Sequence, residues 1–450
     1  MRIVLYCMIA TVIYSLQACS KDWLKQKPDM ALTVPTTLED YQLLLNNRNT
    51  FGTNLPGMSE IANDDYYLTD ALWNSLTTPV ERNNYIWVSD IFEGTQSADW
   101  NNAYKQIFEA NIVLDGIEEL SVAEKGRKEM FDNLKGQALF YRAVCYWMLA
   151  DLFCIPYNQN NKQELGLPLN LNSEVGKKTP RSTLEETYEQ ILIDLKESVG
   201  LLPERQPYLT RPSALAARAM LARINLSMGE YAEAGRWANE ISNIAVNILK
   251  FGELDASEPY PIPALNQEIL WQAEYAMYFN HTYIVGLVDT VLYNSYYEND
   301  LRRNLYFDEN TLGVQFRGNY SGTRFSPFCG PTYGELLLIL AECEIRNGDI
   351  DKGWKHLNDL LTCRYQGDWN QQKFFEAPLA FVLEERRKEL VYRGLRWSDL
   401  RRLNQEPDFE RTMVRYINGK RYSIEPRSLL YVLPIPDNEI ELNNLEQNNR

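Results

Sequence analysis

The chain has 450 residues, 61 acidic against 45 basic, for a formal charge of −16 at neutral pH. No block of basic residues occurs anywhere, which argues against a nucleic-acid surface, and a polyanionic ligand would meet long-range repulsion unless a local basic patch overrode it. Two lone histidines, His281 and His356, and five cysteines beyond residue 20 without a CxxC spacing nominate no metal site, no cofactor and no disulfide framework.

In chain order, the first feature is Arg2 followed by an uncharged run from Ile3 to Leu16, then Gln17-Ala18-Cys19 and the polar Ser20-Lys21-Asp22. A short apolar run behind a basic residue and ahead of a small one is an export signal, too short to span a bilayer. Leu16-Gln17-Ala18-Cys19 resembles the lipobox of bacterial lipoproteins, which implies cleavage after residue 18 and acylation of Cys19. Loss of residues 1–18 takes the charge to −17, since that segment carries one Arg and no acid. Several acyl chains, at about 0.8 kcal/mol per buried methylene, hold a protein stably on a membrane.

Helix follows helix beyond that point. Residues 98–119 place Trp100, Tyr104, Ile107, Ile112 and Leu114 near helical spacing, and residues 133–152 place Leu134, Ala138, Tyr141, Cys145, Met148 and Leu152 on one stripe. Thr183 with Glu186 forms a capping box for a helix through Tyr188, Ile191, Leu192 and Leu195 that stops near Gly200 and Pro203. Ser213 caps the next helix, which runs to Gly229. Residues 222–241 and 341–360 are similar at a fixed offset, with Gly229 matching Gly348, Glu230 matching Asp349 and Asn239 matching Asn358. Each reads as helix, tight Gly-acidic turn, helix. That resembles the tetratricopeptide hairpin, whose units bury their faces by stacking. The expected fold is therefore mainly α: tetratricopeptide-like hairpins in a curved α/α scaffold, with long loops and a few short β-hairpins. Residues 46–97 and 250–330 lack helical periodicity and are rich in Asn, Gly, Tyr and Trp; loops of that length usually carry function. Short β-hairpins are expected within 265–295 and 414–433.

Several motifs in order resemble the SusD/RagB family of outer-membrane nutrient-binding lipoproteins. They are Ala110-Asn111 with Val113 and Ile117, Gln137 to Ala143, Phe153-Cys154-Ile155-Pro156, and Arg211-Pro212-Ser213 leading to Gly229. More specific are Glu384-Glu385-Arg386-Arg387-Lys388-Glu389-Leu390, Gly394-Leu395-Arg396-Trp397-Ser398-Asp399-Leu400-Arg401-Arg402, and Leu433-Pro434-Ile435-Pro436 with Glu439, Ile440 and Asn443. Arg386, Arg387, Glu389, Arg396 and Asp399 look catalytic at a glance, but on a helix their spacing favours ion pairs, so they read as structural; Asn111 and Arg142 read as helix packing. The resemblance implies a signal peptide at 1–18, an N-terminal helical region at 19–250 and a C-terminal region at 251–450 packed with it as one unit. It also implies a lipid-anchored outer-membrane protein that captures oligosaccharide, or peptide in some members, for a SusC-like TonB-dependent transporter.

A neutral glycan site needs aromatic platforms and side chains for the hydroxyl groups. Two loop-rich stretches supply both: Asp64, Asp65, Tyr66, Tyr67 and Trp73 in the first, Trp271, Tyr275, Tyr278 and Tyr296 in the second. A glycosidase would need two carboxylates facing across a cleft. Asp64 and Asp65 are adjacent, so in extended backbone they point apart, and nothing nominates a distant partner. The reading is a binding protein and not an enzyme, with a structural helical scaffold as the alternative.

Overall fold

The computed structural model describes residues 35–242, 244, 247–277 and 286–450; the signal segment, Cys19 and Tyr278 lie outside the described residues. The first part comprises helices α1 (Leu38–Leu45) and α2 (Met58–Ala62), strand β1 (Tyr66–Tyr67), then α3 (Asp70–Ser75), α4 (Pro79–Tyr85), α5 (Ala98–Glu118), α6 (Val122–Lys125) and α7 (Lys128–Phe153). Strands β2 (Leu165–Pro168) and β3 (Arg181–Thr183) lead to α8 (Leu184–Leu201), α9 (Ala214–Ser227) and α10 (Tyr231–Ser242). After β4 (Leu287–Val288) come α11 (Thr290–Asn294), α12 (Arg302–Tyr306), the hairpin β5 (Phe307–Asn310) and β6 (Gly313–Phe316), α13 (Tyr333–Arg346) and α14 (Ile350–Leu361). The chain closes with α15 (Gln371–Glu376), α16 (Pro378–Glu389), α17 (Arg396–Leu403), the hairpin β7 (Met413–Ile417) and β8 (Lys420–Ile424), and α18 (Asp437–Asn443). It is mainly helical with short strand pairs, as its periodicity indicates.

Local sequence explains the helix ends. The Thr183 hydroxyl accepts from the Glu186 N–H at 3.1 Å while the Glu186 carboxylate accepts from the Thr183 N–H at 2.8 Å, the expected capping box. Ser213 caps α9 by accepting from the Ala216 N–H. Gly229 and Gly348 close α9 and α13 with φ of 76° and 88°, a left-handed conformation that lets each helix turn back into its partner. Helix α5 buries Trp100, Ala103, Ile107, Ala110, Val113 and Ile117. The expected stripe is thus shifted: Ile112 sits half-buried, because the contact face runs through the small residues that let α7 approach.

Packing joins the two halves. Helix α13, buried along most of its length, contacts α10 from the first half and α14 and α16 from the second. Each fully buried aliphatic side chain contributes roughly 1.5–3 kcal/mol. Buried ion pairs fix the angles between helices: Arg142 on α7 makes two hydrogen bonds to Asp194 on α8 (2.7 and 2.8 Å) and one to Asn111 on α5 (2.9 Å). Arg223 on α9 holds Glu335 on α13 in the same two-pronged way, at 2.8 and 2.6 Å. The five cysteines are free thiols, and burial raises Cys154 to about 11 and Cys343 to about 12, so both are inert fillers.

The hairpin expected in 414–433 is β7–β8, turning on Asn418-Gly419 with φ of 51° and 72°, the left-handed pair that a two-residue turn demands. Within 265–295 the described strand is β4, and it pairs with β1, some 220 positions earlier, matching Tyr66 to Val288 and Tyr67 to Leu287. A local hairpin search cannot see that pairing.

Candidate functional site

Four separate pieces of chain converge on one cavity of about 320 Å³. Strand β1 brings Tyr66 and Tyr67, its partner β4 delivers Asp289, and the β7–β8 hairpin contributes Arg411 to Tyr416; Asp64, Tyr85 and Trp87 complete the wall. The volume lies at the small end of the ~300–1,000 Å³ usual for ligand sites. Two rings stand out from it, Tyr67 at 39% and Tyr416 at 68% exposure. The outward position of Tyr416 follows from strand alternation, since Met413, Arg415 and Ile417 turn inward and Val414 and Tyr416 outward. Helix α3 buttresses the hairpin: Asp70 accepts from the Asn418 N–H at 2.8 Å, and the Asn74 and Asn418 amides exchange hydrogen bonds at 3.1 and 3.2 Å.

The floor is charged. Asp64 receives Arg396 Nε at 2.6 Å, Arg411 Nε at 2.8 Å and Arg387 Nη2 at 3.5 Å. Burial alone would raise its pKa, but the charges of Arg387, Arg396 and Arg411 outweigh burial and hold the carboxyl far below the usual carboxylate range. Asp65 accepts from Arg387 Nε at 2.8 Å, and Asp289 stands 3.7 Å from the same arginine. Both neighbouring aspartates therefore turn toward one guanidinium, which corrects the expectation that they point apart. Behind them Glu60 is buried; burial, and then the charge of Asp65, raise its pKa to about 8, so it is largely protonated at neutral pH. Deeper still, the Arg415 guanidinium lies 3.7 Å from the Tyr85 ring and 4.5 Å from that of Trp87, donating to the carbonyls of Ile61, Asn63 and Tyr85.

The sequence candidates divide sharply. Asp64, Tyr66 and Tyr67 line the cavity, and Asp65 lies directly behind it. Tyr66 is 4% exposed and directs its hydroxyl to the Ile61 carbonyl at 2.9 Å, so it supports the wall without presenting a face. Trp73, on α3, is half-buried and donates to the Arg82 carbonyl at 3.3 Å. The second stretch does not join them. Trp271 is a core side chain packed edge-on against Phe140 at 4.8 Å. Tyr275 is buried and donates to the Tyr392 carbonyl at 3.1 Å, while Tyr296, fully enclosed, donates to the Lys388 carbonyl at 2.8 Å. None of these three rings offers an open face for stacking, because each fills space between loop and helix; Tyr278 lies outside the described residues. Tyr416, Arg411, Asp289 and Arg415 were not singled out from the sequence. The alternation of Met413 to Ile417 was the available signal for Tyr416, whereas the arginines carry none.

Another concavity, of about 330 Å³, lies between the start of α5 and α18, with Trp100, Tyr104, Asn170, Lys177 and Glu439 on its walls. There Trp100 is 3% exposed beneath Tyr104 and Phe153, so it presents no free ring face. Among the described residues no group of His, Cys, Asp and Glu could hold a metal ion, and no helix is long and apolar enough to cross a membrane.

Residues 22–226 match the SusD-like family model described as starch-binding, associating with outer membrane, and residues 332–450 match the model of the SusD family. A SusD-like protein, P2, from Formosa agariphila is 31% identical over 166 residues, which is 36% of this chain and only 30% of that protein's length. Among solved structures, a SusD superfamily protein from Bacteroides thetaiotaomicron aligns with a TM-score of 0.71 at 21% identity, covering 92% of this chain and all of the other. A SusD superfamily protein from Bacteroides vulgatus gives 0.73 at 20% identity (92% and 99% covered), and a SusD-like carbohydrate binding protein from the same species gives 0.66 at 18% (91% and 97%).

Proposed function

The chain belongs to the SusD/RagB family, and from that premise we propose that it binds oligosaccharide without cleaving it and delivers it to a SusC-like TonB-dependent outer-membrane transporter. The observation that carries the reading is the cavity between β1 and the β7–β8 hairpin, where Tyr67 and Tyr416 remain exposed in a wall shared with Arg411, Thr412 and Asp289. Sugar rings present flat C–H faces bordered by hydroxyls, and this combination of platform and polar rim meets both. Catalysis of glycoside hydrolysis needs one carboxyl held as an acid opposite another. Asp64 is instead clamped as an anion by three arginines, and it serves to position them. Acylated at Cys19, the protein is held at the outer membrane with the cavity outside the cell.

Titration calorimetry of the full-length protein in detergent against a panel of oligosaccharides tests the binding site. Tyr416→Ala and Tyr67→Ala are each expected to weaken binding about tenfold, the loss of one stacking platform, with the glycan recovered intact. Undiminished affinity in both variants places the site elsewhere, and released product marks an enzyme. For the anchor, Cys19→Ala should move the protein from the membrane to the soluble fraction; firm retention without acylation defeats that assignment.

A further inference from the structure

The charged floor of the cavity does not balance its charge. Three guanidinium groups, those of Arg387, Arg396 and Arg411, meet three carboxylates, those of Asp64, Asp65 and Asp289, and Arg415 adds a fourth positive charge to the same cavity wall. Arg415 bonds to backbone carbonyls and has no carboxylate partner among the described residues. Glu60, largely protonated, does not make up the difference. On β8, Arg421 stands directly across from Tyr416 and Lys420 across from Ile417, while the Glu425 carboxylate accepts from Thr412.

Arg411 is the group through which this excess reaches solvent. Its Nε is bound to Asp64, its side chain is 44% exposed, and its two Nη groups carry no hydrogen-bond partner among the described residues. Desolvation, together with the nearby positive charges of Arg387 and Arg396, lowers its pKa despite the contact with Asp64. The surroundings thus destabilise that cation, and an arriving anion would relieve them.

We infer that the cavity selects oligosaccharides carrying an anionic group, a carboxylate or a sulfate ester, which the free Nη edge of Arg411 receives while Tyr67 and Tyr416 contact the sugar rings. This rests on the proposed oligosaccharide-binding role. A guanidinium edge matches the paired oxygens of such groups and discriminates against a hydroxyl in the same place. The overall charge of −16 does not forbid it. Fields from distant acids fade within about 8 Å at physiological salt, whereas a contact pair in a half-enclosed cavity is screened much less.

The experiment is titration calorimetry of the full-length protein with matched probes. These are oligogalacturonates against their methyl esters, oligomannuronates against theirs, and heparin-derived oligosaccharides against desulfated ones, with malto- and xylo-oligosaccharides as neutral chains. At least one acidic series is expected to bind, with its neutralised counterpart about tenfold weaker or more. Arg411→Gln should lower the acidic affinity about tenfold and so erase the preference for the acidic chain over its neutralised counterpart, and Arg411→Lys should restore part of the loss. Unchanged circular dichroism and melting temperature would separate this from misfolding. Neutral chains bound as tightly as acidic ones, or an Arg411→Gln protein that keeps its preference, overturn the inference while the oligosaccharide reading stands. Binding of no chain in the panel overturns both.

Discussion

Helix α16 feeds two ionic clusters, one closed and one open, and their difference separates structural from available charge. Lys388 and Glu389, three and four positions beyond Glu385, join it in the closed cluster with Asp300, Arg302, Arg364 and Glu268. There Arg302 donates to Asp300, Glu385 and Glu389, Arg364 donates to Glu268, Glu389 and the Leu249 carbonyl, and both side chains are wholly buried. Arg387 leaves the helix in another direction and enters the open cluster with Asp64 and Asp65, where Arg411 remains half in solvent. A partner for every donor nitrogen of Arg302, Arg364 and Lys388 makes the first cluster a joint. Incomplete saturation in the second makes it a surface able to receive a ligand.

Breaking the joint should have the largest effect. Arg364→Met strips a fully buried cation from Glu268 and Glu389, and removing one partner of such a pair typically costs about 3–5 kcal/mol, because the other charge stays buried. Urea unfolding measures it, and a loss below about 1 kcal/mol would dissolve the contrast between the clusters. The next test sharpens the open side. Glu60 has its pKa raised from an ordinary 4.5 to about 8, so the folded state keeps a proton that the unfolded chain has released. Stability from this residue is therefore fully present below about pH 4.5 and declines as pH rises to about 8, by up to roughly 1.4 kcal/mol per pH unit. Glu60→Gln keeps an acceptor for the Gly394 N–H, which now bonds at 2.6 Å, and should flatten that slope. Melting curves of both proteins between pH 5 and 8 check it, and parallel profiles would refute it. The smallest effect belongs to Arg411→Gln, expected to change stability by less than about 1 kcal/mol because its pair with Asp64 is solvent-screened and Arg396 still holds the aspartate. A larger loss in urea unfolding would move Arg411 into the structural class.

Particular residues show how far the sequence reached toward the site. Asp64 and Tyr67 were legible as candidates because a polar, tyrosine-rich loop between helical segments announces itself. Trp271, Tyr275 and Tyr296 looked equivalent in sequence, yet all three are enclosed: an aromatic in a long loop either caps the core or faces outward, and composition is the same in both cases. Arg386 illustrates the other gap. Its charge suggested local helix pairing, but its partner is Asp399 on the following helix, at 2.8 Å.

What the sequence determined by itself was everything governed by neighbours along the chain. That includes helix phase, the Thr183 and Ser213 caps, the Gly229 and Gly348 turns, the Asn418-Gly419 hairpin, and the ordered motifs that mark the family. Only the tertiary structure decided which rings stay open and which arginine is left with free donors. Those outcomes depend on segments more than 200 positions apart, such as β1 with β4 and Asp64 with Arg411, and burial and pairing are properties of that three-dimensional neighbourhood, which no local window contains.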